Sequence, residues 1–325
     1  MLGLVVLISI ATGGAWLFAQ QQHSKSQDPG GWGSDHVGQA VPEYLTGDEC
    51  LFCHRGNVGP LWTTNRHNIT MHAADPTSPG LVELKKVIAE AMTAEVKIEL
   101  GGKLLTRFMK PAQAYGKAEI LSIEWKPAAK EKQGTLHTTT DPKWDPSAFG
   151  ANCAGCHATG VDSNAQTFSS PSLDCYTCHG TVDPKHSKDT TIVHLSRKRN
   201  DSARVIISIC AQCHARGGRS KSTHLPFANN FVAGDNLFRD FRVDLTPEAV
   251  NKLDAGERHI FQNIRDVAVL GKEEVTCISC HQVHKQSTLP HRRLVKSTLC
   301  LNCHNATGSM KVRKTYEAHS QTCGY

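Results

Sequence analysis

Apolar and aromatic side chains are scarce in this chain. Of its 325 residues, 39% are hydrophobic and only 6% are aromatic. Because burial of such side chains is what stabilises most folds of this length, the composition argues against an ordinary layered core. The excess of one sign of charge is small as well: 36 Lys and Arg residues against 30 Asp and Glu residues give a formal net charge of +6 at pH 7. Nothing in the charge therefore favours nucleic-acid binding.

Cysteine, in contrast, is plentiful and strictly patterned. Twelve of the thirteen cysteines lie in six copies of Cys-x-x-Cys-His. The copies are Cys50, Cys53 and His54; Cys153, Cys156 and His157; Cys175, Cys178 and His179; Cys210, Cys213 and His214; Cys277, Cys280 and His281; and Cys300, Cys303 and His304. This motif attaches c-type haem: the cysteines form thioethers and the histidine ligates the iron. The sequence therefore predicts six covalently bound haems.

Zinc is the rival interpretation of paired cysteines. Two such pairs can converge on one tetrahedral ion, but a zinc site does not require a histidine directly after each pair. The histidine is present in all six copies, which favours haem. Cys323 lies outside the motifs and is predicted to be a free or incidental thiol, with an intermolecular bridge as the alternative.

Six haems would supply the apolar surface that the polypeptide lacks. The predicted fold is mainly α, with long loops wrapped around a haem stack and a small β insertion near residues 93–127. Apolar spacing predicts helices over residues 81–92 and 247–270, the second with Thr246 as its N-cap. Alternation predicts strands over residues 96–108 and 119–125, with a hairpin turn at Gly101 and Gly102. Stretches rich in Pro, Ser, Asp and Asn predict loops at residues 141–149 and 163–172.

The first residues contain an uncharged apolar run. Residues 2–19 would form a helix about 27 Å long, close to the thickness of a bilayer's hydrocarbon layer. A cleaved signal peptide and a retained membrane anchor fit this run equally well: the basic residues typical of a signal peptide are missing before it, but Leu17-Phe18-Ala19 before Gln20 is an acceptable cleavage site. Both direct export, and c-type haem is attached outside the cytoplasm. The haem domain is therefore expected on the periplasmic or extracellular face.

The chain divides into six predicted parts. They are an export signal or anchor at 1–19, a linker at 20–43, a first haem segment at 44–80, a helix plus β insertion at 81–149, a five-haem domain at 150–305 and a tail at 306–325.

Several motifs resemble a known superfamily. The first haem motif is followed by Trp62 and, five residues on, by His67. The second motif continues as Ala-Thr-Gly, the fourth as Ala-Arg-Gly, and the fifth extends to Cys-x-x-Cys-His-x-x-His. These features, spread over most of residues 44–305, resemble the multihaem cytochromes c related to the cytochromes of ammonia oxidation.

Histidine is the expected second ligand of most irons. Twelve histidines lie outside the motifs, against four methionines beyond the initiator. Two imidazoles leave the haem potential lower than a methionine does. The resemblance implies second ligands at His67, His186, His259 and His284. The next candidates, with a surface role as the alternative for each, are His72, His224 and His291.

The resemblance also contains one departure. Relatives commonly carry a further histidine shortly before the fifth motif, whereas residues 266–271 have none. One axial position therefore stays unassigned by the sequence.

The expected function is electron relay along closely spaced, mostly bis-histidine haems in a respiratory chain. The expected partners are a quinol oxidase or cytochrome donor and a reductase or extracellular acceptor, with membrane contact through residues 2–19. One alternative is a redox enzyme with one open haem, acting on a small nitrogen or sulfur compound. The chain has no Cys-x-x-Cys-Lys motif of the kind such enzymes carry, which makes an electron carrier the stronger prediction. A second alternative is a subunit of a polymerised cytochrome filament, in which His36 or His319 would ligate a haem of the next subunit.

Overall fold

The computed structural model describes residues 47–128, 134–137, 141–271, 276–281 and 283–284. The apolar run, the linker, the sixth haem motif, His291 and the tail lie outside these residues. Within the described part of the chain, no helix is both long and apolar enough to cross a membrane.

Short helices carry most of the haem motifs. The α-helices are α1 (Gly47–His54), α2 (Gly59–Trp62), α3 (Pro79–Leu84), α4 (Glu90–Ala94), α5 (Ala148–Asn152), α6 (Ala154–His157), α7 (Cys175–His179), α8 (Ala203–His214), α9 (Leu237–Asp240), α10 (Pro247–Lys252), α11 (Ala255–Asn263) and α12 (Cys277–Cys280). Two 3₁₀ turns, Pro184–Ser187 and Thr190–Ile192, and a π-helix, Ile264–Val269, complete the helical elements.

A six-stranded antiparallel sheet stands beside these helices. Its strands are β1 (Met71–Ala73), β2 (Ile98–Gly101), β3 (Thr106–Pro111), β4 (Ala118–Lys126), β5 (Thr135–His137) and β6 (Trp144–Asp145). They pair in the order β1-β2-β3-β4-β5, and β6 also pairs with β4. Two two-stranded antiparallel sheets lie apart from it: the hairpin of β7 (Ala158–Asp162) with β8 (Thr167–Pro171), and the pair of β9 (Arg219–Ser220) with β10 (Phe241–Arg242).

The predicted fold class is therefore wrong: the fold is mixed, not mainly α. Alternation along residues 93–127 correctly located β2, β3 and β4, with the predicted turn where Gly101 and Gly102 take positive φ. The sheet is larger because β1, β5 and β6 lie outside those residues. These strands are only two or three residues long, so they have too few positions to show a period of two.

Both faces of the sheet are buried. On one face, Leu121 and Ile123 of β4 pack with Leu84 of α3. On the other face, Ile120 packs with Phe149 of α5 and with the start of α6. The second haem motif therefore sits directly against the sheet.

Truncating the centre of this sheet should destabilise the protein. Leu121 is fully buried, so Leu121→Ala is expected to lower the free energy of unfolding by about 2–5 kcal/mol, since it leaves a cavity. Leu104→Ala is the matched control because Leu104 is 68% exposed. Denaturant unfolding of both variants measures the difference, and equal stability of the two would contradict this account of the core.

Four other local predictions need correction. The predicted helix over residues 81–92 is interrupted, since α3 ends at Leu84 and α4 begins at Glu90. The predicted loop at residues 141–149 contains β6 and the start of α5.

Residues 247–270 do not form one helix but α10, α11 and the π-helix, with Leu253 extended between the first two. Thr246 does cap the first of them, accepting a hydrogen bond from the amide of Ala249. Residues 163–172 are not simply a loop, since β8 pairs with β7 there. The polar residues of this stretch led to the prediction of a loop, because the hairpin is only half-buried and its strands therefore keep many polar side chains.

Candidate haem centre

The haem motifs occupy helix ends. His54, His157, His179 and His214 are each the last residue of a helix. In a helix, positions three and four apart lie on one face. Both cysteines and the histidine of a motif can therefore reach one side of a macrocycle.

Side-chain caps fix where two of these helices begin. Asp174, which is buried, accepts a hydrogen bond from the amide of Tyr176 at 2.9 Å and starts α7. Ser202 accepts from the amide of Val205 at 3.4 Å and starts α8. Such caps satisfy amides that the first turn of a helix leaves without partners. They set the third and fourth motifs in place.

Three histidine pairs form between distant segments. His54 lies opposite His186 with ring centroids 6.1 Å apart, and His214 lies opposite His67 at 6.2 Å. His179 lies opposite His284 at 5.9 Å. Each pair joins one motif histidine to one histidine from outside the motifs.

These separations fit two imidazoles bound to one iron. A metal–nitrogen bond to histidine is about 2.0 Å long and the ligand nitrogen lies about 1 Å from its ring centre, so ligands on opposite sides of an iron have centroids about 6 Å apart. Direct packing of two rings would not select one motif and one non-motif histidine in every pair. The residues therefore fit haem at the first, third and fourth motifs.

The ring nitrogens are also arranged for ligation. The Nδ1 atom of His179 lies 2.6 Å from the carbonyl oxygen of His194, and that of His186 lies 2.8 Å from the carbonyl of Asp183. The Nδ1 atom of His67 lies 3.1 Å from Oδ1 of Asn65. When Nδ1 donates to such an oxygen, Nε2 keeps its lone pair for a metal.

Burial keeps several of these rings neutral, as ligation requires. It lowers the pKa of His214 to about 4 and also lowers the pKa of His67, His179 and His284. An uncharged imidazole is the form that binds a metal.

A buried carboxylate holds the loop that faces His179. Asp201 accepts hydrogen bonds from the amide of Leu195, from Nδ1 of His194 and from Nε of Arg199, all within 2.8 Å. Burial alone would raise the pKa of Asp201, but these hydrogen bonds outweigh it and lower the pKa. The carboxylate is therefore ionised, and it fixes the His194 carbonyl that His179 contacts.

Cysteines of different motifs lie side by side. The thiol of Cys50 hydrogen-bonds that of Cys175, which lowers the pKa of Cys50 to about 7. Cys156 is paired in the same way with Cys213, and Cys210 with Cys277. Motifs one and three, two and four, and four and five are therefore neighbours.

The other predicted second ligands lie elsewhere. His72 is on β1, 3.9 Å from the Glu99 carboxylate. His224 is exposed in a loop at positive φ, and His259 is exposed on α11 and belongs to none of the three pairs. The histidine of the fifth haem motif, His281, is exposed and lies close enough to His67 and His214 to lower the pKa of both.

One residue beside the pairs has no signal in the sequence. Asn65 contacts His67 and the segment that carries His284. Its role depends on a partner 218 positions away, so only the fold reveals it.

Comparison of the chain with family models, with curated proteins and with solved structures gave no match.

Proposed function

We propose that this protein is an exported hexahaem c-type cytochrome, related to the multihaem superfamily named above, that relays electrons along closely spaced haems. The observation that carries the proposal is the set of three histidine pairs at 5.9–6.2 Å, each uniting a motif histidine with a distant one. Bound haem would supply a one-electron iron couple at each motif.

The protein's own groups explain why relay is the favoured function. Each histidine pair would fill both axial positions of an iron and leave no room for a substrate. The neighbouring cysteines of motifs one and three, two and four, and four and five hold attachment points close together, which suits transfer between haems. Donor, acceptor and an extracytoplasmic location follow from the sequence expectations and belong to the proposal.

A second candidate function rests on the second motif. In the described part of the chain, the ring of His157 faces no other imidazole, and its buried Nδ1 has no hydrogen-bond partner. Burial lowers the pKa of His157, and the nearby charge of Arg216 lowers it further. An iron open at this position, beside a cation, would suit a small oxyanion such as nitrite.

Intact mass and low-temperature electron paramagnetic resonance test both functions. We expect the mature protein to exceed its polypeptide mass by six haems and to show low-spin ferric signals typical of bis-histidine iron. A mass with no covalent haem would overturn the proposal. A high-spin signal that shifts on addition of nitrite would favour the second function for one site.

A further inference from the structure

One short segment of the chain touches the second ligands of two different haem motifs. Asn65 is 2% exposed, and its Oδ1 accepts a hydrogen bond from the amide of His67 at 2.9 Å while lying 3.1 Å from Nδ1 of the same ring. Its Nδ2 donates to the carbonyl of Val283 at 2.5 Å, next to His284. One amide therefore bonds to both ligand segments.

Trp62 makes the same connection through its ring. It is 5% exposed and lies parallel to the ring of His67, with an interplanar angle of 6° and centroids 6.5 Å apart. Its edge meets the ring of His284 at 86° and 6.2 Å. Aromatic contacts of this kind restrain the orientation of both rings.

We propose that Trp62 and Asn65 form a clamp that positions His67 and His284, the second ligands opposite His214 and His179. The inference rests on the proposed haem ligation and adds to it a shared positioning device for the third and fourth haems. Asn65 acts as a positioning residue, because it contacts the ligands and not the iron.

The two polar atoms of the Asn65 side-chain amide have different roles in the clamp. The Oδ1 atom orients the His67 imidazole and keeps a proton on Nδ1, as outer hydrogen bonds do for metal-bound histidine. The Nδ2 group satisfies the Val283 carbonyl and so fixes the backbone before His284. Loss of the amide would release both rings at once.

Asn65→Leu tests the clamp, since leucine has similar volume without polar atoms. In the oxidised holoprotein, we expect resonance signals from two of the haems to shift or to acquire a high-spin fraction, while the signal of the His54–His186 haem stays unchanged. Asn65→Asp, which keeps an oxygen acceptor for His67 but cannot donate when ionised, should leave the His67 haem closer to its native signal than the His284 haem. Asn164→Leu, at an exposed asparagine of the β7–β8 hairpin, is the matched control.

The outcomes separate the clamp from the proposed function. Native signals in Asn65→Leu, or equal shifts at all haems, would overturn the clamp while leaving haem ligation intact. A wild-type protein without bis-histidine signals would overturn the proposed function itself. If Asn65→Leu fails to fold, Trp62→Phe provides the same test: it must alter the same two signals, and unaltered signals would refute the clamp.

Discussion

Replacing His67 with alanine is expected to convert one low-spin haem of the oxidised protein into a high-spin haem that binds added imidazole. The reason is geometric: His67 lies opposite His214 at 6.2 Å, so its removal would leave that iron with the motif histidine alone. Electron paramagnetic resonance before and after imidazole addition measures the change. We expect the visible spectrum to return to the low-spin form once imidazole is bound.

His72→Ala is the matched control for this experiment. His72 is only five residues further along and was also a predicted ligand, but it lies on β1, with its side chain 40% exposed and 3.9 Å from Glu99. All haems of this variant should keep native spin states. A high-spin haem in His72→Ala, with none in His67→Ala, would reverse the assignment.

Joint replacement of Cys210 and Cys213 by alanine is the second substitution for which we expect a large effect. It should lower the mass of the purified protein by one haem, because the fourth motif would lose both thioether bonds. The loss should also disturb neighbouring haems, since Cys213 adjoins Cys156 and Cys210 adjoins Cys277. Intact mass spectrometry gives the haem number, and resonance spectra report the neighbours.

Cys323→Ala serves as the control for the cysteine experiment. Cys323 is the one cysteine outside the motifs, so its replacement should leave the haem number and the spectra unchanged. An unchanged haem number in the Cys210 and Cys213 double variant, after the mass change of the two substitutions themselves is subtracted, would show that the fourth motif carries no covalent haem.

Much of the candidate site could be predicted because haem attachment is a local pattern. The two cysteines and the histidine of each motif are neighbours in sequence, and their chemistry depends on that spacing. Resemblance to a superfamily predicted His67, His186 and His284 as second ligands, and each of them lies opposite a motif histidine in one of the three pairs. The predictions at His54, His179 and His214 rest on only one helical turn of context.

The remaining second ligands are harder to predict from the sequence, because that role depends on which side chains lie close together in the folded chain. His259 on α11 and His72 on β1, 3.9 Å from the Glu99 carboxylate, belong to none of the three pairs, so their roles as ligands stay predictions. No spacing rule distinguishes such residues from His67. Only the packing of segments decides which imidazole reaches a motif histidine.

The sheet also combines strands that the sequence predicts with strands that depend on tertiary contacts. The alternation of β4 was visible in the sequence because nine residues give several periods. The two-residue β6 was not visible, and it exists through pairing with β4 at Leu121 and Trp144. A short strand depends on its partner's hydrogen bonds, which a local pattern does not encode.

The sequence by itself therefore carries the prediction of haem and of its attachment points, because thioether formation and ligation by the motif histidine would use residues within one pentapeptide. The tertiary structure alone decided which histidine stands opposite which, and that Asn65 joins two ligand segments 218 positions apart along the chain. The physical reason is that the two histidines of each pair come from segments more than a hundred residues apart. Their approach is set by the packing of those segments and not by their order in the chain.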